Sequence, residues 1–102
     1  MKRLLLLKHI EYKVIMVVYF KNENQVINWW NHFPCPEEWS VIYEGERKKG
    51  GHRYKLTFSR FDRRGELHSK YIICFSIKEA VVLRQKIREA DPNYITNIEK
   101  LY

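Results

Sequence analysis

This chain has too few cysteines for one class of small protein and too short an apolar run for another. Its two cysteines, Cys35 and Cys74, cannot build the disulfide framework that stabilises small secreted domains. Cys74 lies in the apolar run YIICF and reads as a buried thiol, while Cys35 stands between two prolines in FPCP, in a rigid loop. Neither points to export, so a reducing cytoplasm is the expected location. The opening MKRLLLLKHIEYKVIMVVYF has only residues 4–7 as an unbroken run before Lys8, His9, Glu11 and Lys13 interrupt it. A secretory h-region needs about 7–15 apolar residues and a membrane helix about 20, so a soluble protein with no membrane association is expected. Internal repeats, low-complexity runs and linkers are missing as well. No glycine-rich phosphate loop follows a strand pattern, because Gly50-Gly51 reads as a hairpin turn.

What is present is a packed globule. Of the 102 residues, 45% are hydrophobic and 15% aromatic, which excludes a disordered tail and suits a single domain over 1–102 with one compact core. The charge is unevenly placed. Residues 47–70, RKKGGHRYKLTFSRFDRRGELHSK, hold nine Lys/Arg against one Asp and one Glu, while the other ten basic and ten acidic residues cancel. One quarter of the chain thus carries the whole net charge of +7.

Residues 14–20 (VIMVVYF) form a continuous β-branched run, the pattern of a strand buried on both faces. In the next segment Asn22 and Gln25 resemble a capping box, and Val26, Ile27, Trp30 and Phe33 share one helical face before Pro34 and Pro36 end it. Three alternating stretches follow, at 39–44, 53–61 and 67–75, joined by ERKKGG and FDRRGE. Setting Phe61 opposite Glu66 places Leu56 against Tyr71 and Tyr54 against Ile73 on a core face, with Thr57 against Lys70 and Ser59 against His68 outside. Glu44 is then expected opposite Arg53, with Tyr43 meeting Tyr54. Ser76 and Glu79 cap a second helix whose stripe is Ile77, Ala80, Leu83, Ile87 and Ala90, stopped by Asp91-Pro92. The tail NYITNIEKLY has helical spacing at Ile95, Ile98 and Leu101, yet its β-branched content and the preceding proline favour an edge strand over a helix. The expected fold is α+β: a two-layer sandwich with an antiparallel sheet of 4–5 strands and two helices on one face. Its order is β-α-β-β-β-α-(β), with a short extra strand open at residues 3–7.

From Glu38 to Ala90 the plan is three antiparallel strands beginning at Trp39, basic loops, then a helix opening F-S-x-x-E-A at Phe75, Ser76, Glu79 and Ala80. This resembles the AP2 and integrase arm-binding type of DNA-binding domain. In that family a three-stranded sheet lies in the major groove and the following helix braces it from behind. The resemblance covers about half the chain. Cys74 stands where the family often has glycine, and the strand–helix unit at 14–33 has no counterpart there.

The basic hairpin is the candidate site. Lys and Arg that neutralise nucleic-acid phosphates gain by releasing condensed counterions. Arg47, Lys48 and Lys49 in one turn and Arg63 and Arg64 in the other are placed to grip phosphates, with Arg53, Lys55, Arg60, His68 and Lys70 on or beside the strands between. The expected function is a non-enzymatic nucleic-acid-binding module, with DNA ahead of RNA. The alternative is an inhibitor or adaptor of the small phage-encoded, anti-defence kind that binds an acidic protein or nucleoprotein partner. No cofactor is expected. His52 and His68 lack an evident orienting carboxylate, and H-x-x-C at His32 and Cys35 lacks a second ligand pair, so neither catalysis nor metal binding is expected. Trp29 and Trp30 cannot both face the core of one helix, which leaves Trp29 as cover for a sheet edge or as an exposed anchor. Ile15, Val17, Ile42 and Ile72 line an apolar strip that suits a homodimer.

Overall fold

The computed structural model describes residues 2–47 and 53–101. The fold is α+β, with β1 (Lys2–His9), β2 (Ile15–Phe20), α1 (Glu23–Asn31), a 3-10 turn (Pro36–Glu38), β3 (Trp39–Arg47), β4 (Tyr54–Phe61), β5 (Leu67–Cys74), α2 (Ile77–Ala90) and β6 (Ile95–Lys100). The strands form two three-stranded antiparallel sheets, β2-β1-β3 and β5-β4-β6, rather than one sheet of four to five. The chain accordingly divides into two compact units, Met1–Lys48 and Lys49–Tyr102. Both units have the same connectivity: a central first strand, a hairpin to one edge, a helix, and a last strand returning to the other edge. No described helix is long and apolar enough to cross a membrane.

The short strand raised at residues 3–7 is the centre of the first sheet. Leu4, Leu5, Leu6 and Leu7 are all buried, so β1 takes the doubly buried role expected of 14–20. β2 is instead an edge strand with Tyr19 exposed. β3 ladders with β1, which matches its length, and a bulge at Ile42 absorbs the residue by which the two registers differ. Glu44 therefore lies opposite Leu5 and takes a hydrogen bond from Arg3 at 2.9 Å, and the expected pairing with Arg53 does not form.

α1 begins where the cap was read. Asn22 Oδ1 accepts from the Gln25 N–H at 3.0 Å, and Gln25 Oε1 accepts from the Lys21 N–H at 2.8 Å. None of its residues is fully buried. Its attachment is aromatic: Trp29 meets Phe20 at 5.6 Å and Phe33 at 4.5 Å between ring centroids, and Trp30 stacks on Phe33 at 5.8 Å. Both tryptophans pack against the core of Leu5, Leu7 and Phe20, contrary to the expectation that only Trp30 would. Indole rings are long enough to reach the sheet from flanking positions of a short helix.

α2 begins at Ser76, whose Oγ accepts from the Glu79 N–H at 3.1 Å. It buries Ala80, Leu83 and Ile87 of the expected stripe, while Ile77 is exposed at its first turn. These side chains and Leu56, Phe58, Ile72 and Cys74 make the second core, and α2 packs on β4 and β5. The tail is the edge strand β6, paired with β4. Ile15 and Ile72 are fully buried and Val17 and Ile42 half-buried, so these four do not make the exposed strip that suggested a homodimer.

Candidate functional site

The β4–β5 hairpin turns through Asp62-Arg63-Arg64-Gly65-Glu66, and the geometry of this turn decides what each face displays. Gly65 is left-handed, at φ 82°, which a Cβ would disfavour. The Asp62 N–H donates to the Glu66 carbonyl at 2.9 Å, and the Gly65 N–H donates to the Asp62 carbonyl at 3.1 Å. This is the three-residue hairpin loop in which a turn is followed by an αL residue. It sets Phe61 opposite Leu67, one residue away from the expected pairing with Glu66. A one-residue slip sends every side chain of a strand to the other face.

The outcome inverts β5. Leu56 now faces Ile72 and Tyr54 faces Cys74 on the helix side, joined by Phe58 opposite Lys70 and Arg60 opposite His68. The side away from α2 carries Lys55, Thr57, Ser59 and Phe61 from β4 and Leu67, Ser69, Tyr71 and Ile73 from β5. β6 adds Ile95, Asn97 and Glu99. Tyr71, expected in the core, is more than half exposed, and so is Leu67 on the same face.

The basic residues are correspondingly split. Arg63 and Arg64 are exposed at the turn, and Arg53 is exposed just before β4. Lys55 is half-buried on the open face, its Nζ 4.8 Å from the Tyr71 ring centroid. Arg60 is held on the helix side, 3.4 Å from the buried Asp91 carboxylate and over the Tyr94 ring. Lys70 shares that side; it remains exposed as a residue, but partial burial lowers its ammonium pKa. Arg47 ends β3 opposite Lys2. Lys48, Lys49, the Gly50-Gly51 turn and His52 lie outside the described residues.

His68 is not paired with Ser59. Its Nε2 lies 2.7 Å from Asp62 Oδ2, so the orienting carboxylate that the sequence did not reveal is the turn aspartate. Asp62 Oδ1 meanwhile accepts from the Arg64 N–H at 2.8 Å and the Glu66 N–H at 2.9 Å. The His68 hydrogen bond, with these backbone donors, holds the Asp62 carboxyl below its usual range. Asp62, Glu66 and His68 have ligand atoms within 4.8 Å of one another and are the one such trio among the described residues. Both Asp62 oxygens are already engaged within the turn, and His32 spends Nδ1 on the Asn28 carbonyl at 2.8 Å.

What the alternation pattern missed is the composition of the open face. Phe61, Leu67, Tyr71 and Ile95 are all exposed by 53% or more, although each is large and apolar. The signal that would have found them is Gly65, the αL residue of a three-residue loop. No protein-family model, curated protein or solved structure matches this chain.

Proposed function

We propose that this is a non-enzymatic nucleic-acid-binding module of the reducing cytoplasm, which docks through the β4–β5 hairpin of its second unit. The observation that carries the reading is the division of charge. Lys49–Tyr102 has twelve basic against six acidic residues, +6, and Met1–Lys48 has seven against six, +1. Within the hairpin, Asp62 is occupied by His68 and two backbone N–H groups, which leaves Arg63 and Arg64 projecting from the turn. A polyanion approaching this end meets guanidinium groups with little internal neutralisation.

The test is a titration of duplex and single-stranded nucleic acid at two salt concentrations. Contacts to four phosphates through Arg53, Lys55, Arg63 and Arg64 would weaken binding roughly 50- to 150-fold between 50 and 200 mM salt. Replacing Arg63 and Arg64 together should reduce the log–log slope by about 1.4–1.8. An affinity no tighter than the non-specific range of about 10⁻⁴–10⁻⁶ M, with the slope unchanged in the double variant, would overturn the reading. Capture of an acidic protein, lost in the same variant and restored by reversing the partner's charges, would put the adaptor function in its place.

A further inference from the structure

The open face of the second sheet exposes four large apolar side chains, Phe61, Leu67, Tyr71 and Ile95. Large apolar side chains gathered on one exposed face mark a binding surface. Here the chemistry of that surface is specific. Two of the four side chains are aromatic, Tyr71 and Phe61, and they stand four residues apart in the ladder, since Tyr71 pairs with Thr57. At the strand rise of about 3.3 Å per residue, the rings are roughly 13 Å apart. The positions between them hold only Thr57, Ser59 and Ser69, and the two serine hydroxyls lie 2.7 Å apart. The floor between the rings is thus low and hydroxylated. Arg63 and Arg64 bound it at the turn, and Lys55 and Arg53 bound it at the far end of β4. Glu99, opposite Lys55, is the one carboxylate on the strands of this face among the described residues.

We infer that this face binds single-stranded nucleic acid, with one base stacked on Tyr71, a second on Phe61, and the backbone held by Arg53, Lys55, Arg63 and Arg64. The inference rests on the proposed nucleic-acid function and names its substrate. A duplex hides the faces of its bases, whereas an unpaired base offers a π-face to any exposed ring. A purely aliphatic patch would suit a protein partner equally well; rings, hydroxyls and a cationic rim suit splayed nucleotides. Lys55 Nζ lies over the Tyr71 ring, 4.8 Å from its centroid, so a base stacking on that face takes the place of the ammonium, and the flexible lysine stem lets it swing to the nucleotide's phosphate. Ser59 and Ser69 hydrogen-bond to each other through their hydroxyls, which leaves one hydroxyl hydrogen of the pair, with the Thr57 hydroxyl, to offer a base edge or sugar.

The full chain is titrated with three fluorescein-labelled probes of one sequence: a 12-nucleotide DNA strand, the corresponding RNA strand, and the DNA duplex. At least one single strand should bind more tightly than the duplex, and whichever is preferred identifies the sugar recognised. Tyr71→Ala should weaken that binding between about 5-fold and about 100-fold, and Tyr71→Phe, which keeps the ring, should restore most of it. Because Tyr71 is exposed, the alanine variant should melt close to wild type. Photo-crosslinking of a 5-iodouracil-substituted strand should map to Tyr71 or Phe61. Salt-dependent binding that treats duplex and single strands alike, with Tyr71→Ala unchanged, overturns the stacking inference and leaves the electrostatic reading standing. No binding to any probe overturns both. If Tyr71→Ala instead dissociates a dimer in sedimentation velocity without changing affinity, a second copy occupies the face and the inference fails.

Discussion

The two units share one connectivity and spend it differently. In Met1–Lys48 the helix is nine residues long, buries none of them fully, and is held to the sheet by tryptophan and phenylalanine rings. In Lys49–Tyr102 the helix has fourteen residues and anchors through Ala80, Leu83 and Ile87. Aromatic side chains thus close the first unit, whereas in the second Phe61 and Tyr71 are left facing outward. The hairpins differ in the same way. The β1–β2 turn places Lys13 in the left-handed region and uses His9 Nδ1 as acceptor for the Tyr12 N–H at 3.1 Å. The β4–β5 turn uses Gly65 and a carboxylate for those tasks and keeps two arginines exposed. The lesson is that one topology serves as a packed body in one copy and as a charged platform in the other.

The largest effects should come from the two cores. Leu7 and Leu56 sit on the central strands of their sheets and are both fully buried, so Leu7→Ala and Leu56→Ala should each lose about 2–5 kcal/mol in urea unfolding. A loss below about 1 kcal/mol at either would break the equivalence of the central strands. Next is the aromatic closure of the first unit. Trp29→Ala, which removes the contacts to Phe20 and Phe33, should cost roughly 1–3 kcal/mol, less than a fully buried ring because Trp29 is half-buried. Its affinity for nucleic acid should stay within about twofold of wild type; a larger change would show that binding is not confined to the charged unit.

Smaller effects belong to the helix ends. Asn22→Ala and Ser76→Ala each delete an N-cap acceptor and should cost about 0.5–2 kcal/mol by thermal melting. The smallest should come from the charged turn. Asp62 has a depressed carboxyl pKa when folded, so its contribution is complete above the unfolded value of about 4 and is lost as pH falls through the folded one. Acidification through that window should lower the melting temperature of wild type more than that of Asp62→Asn. Identical acid profiles would show that the His68 and backbone contacts add nothing to the turn.

Much of the local chemistry was legible in residues that act on their near neighbours. Asn22 with Gln25 and Ser76 with Glu79 announced both helix starts, Asp91-Pro92 the end of α2, and the β-branched tail an edge strand. The basic concentration in 47–70 was equally plain. The candidate surface was not. Its charged residues could be named, but His68 and Lys70 were assigned to the face opposite the one they occupy, and Tyr71 to the core.

The sequence by itself determined where helices begin and end, which segments extend, and where the charge lies, because caps, prolines and side-chain ionisation act over a few residues. Only the tertiary structure decided that β3 pairs with β1 rather than β4, and that the strands form two sheets. Long-range ladders are chosen by matching lengths and apolar faces across the chain, which no local pattern records. It also decided which half of each alternating strand is buried. An alternating pattern reads almost equally well in two registers one residue apart, and here one left-handed glycine in a hairpin turn selected between them.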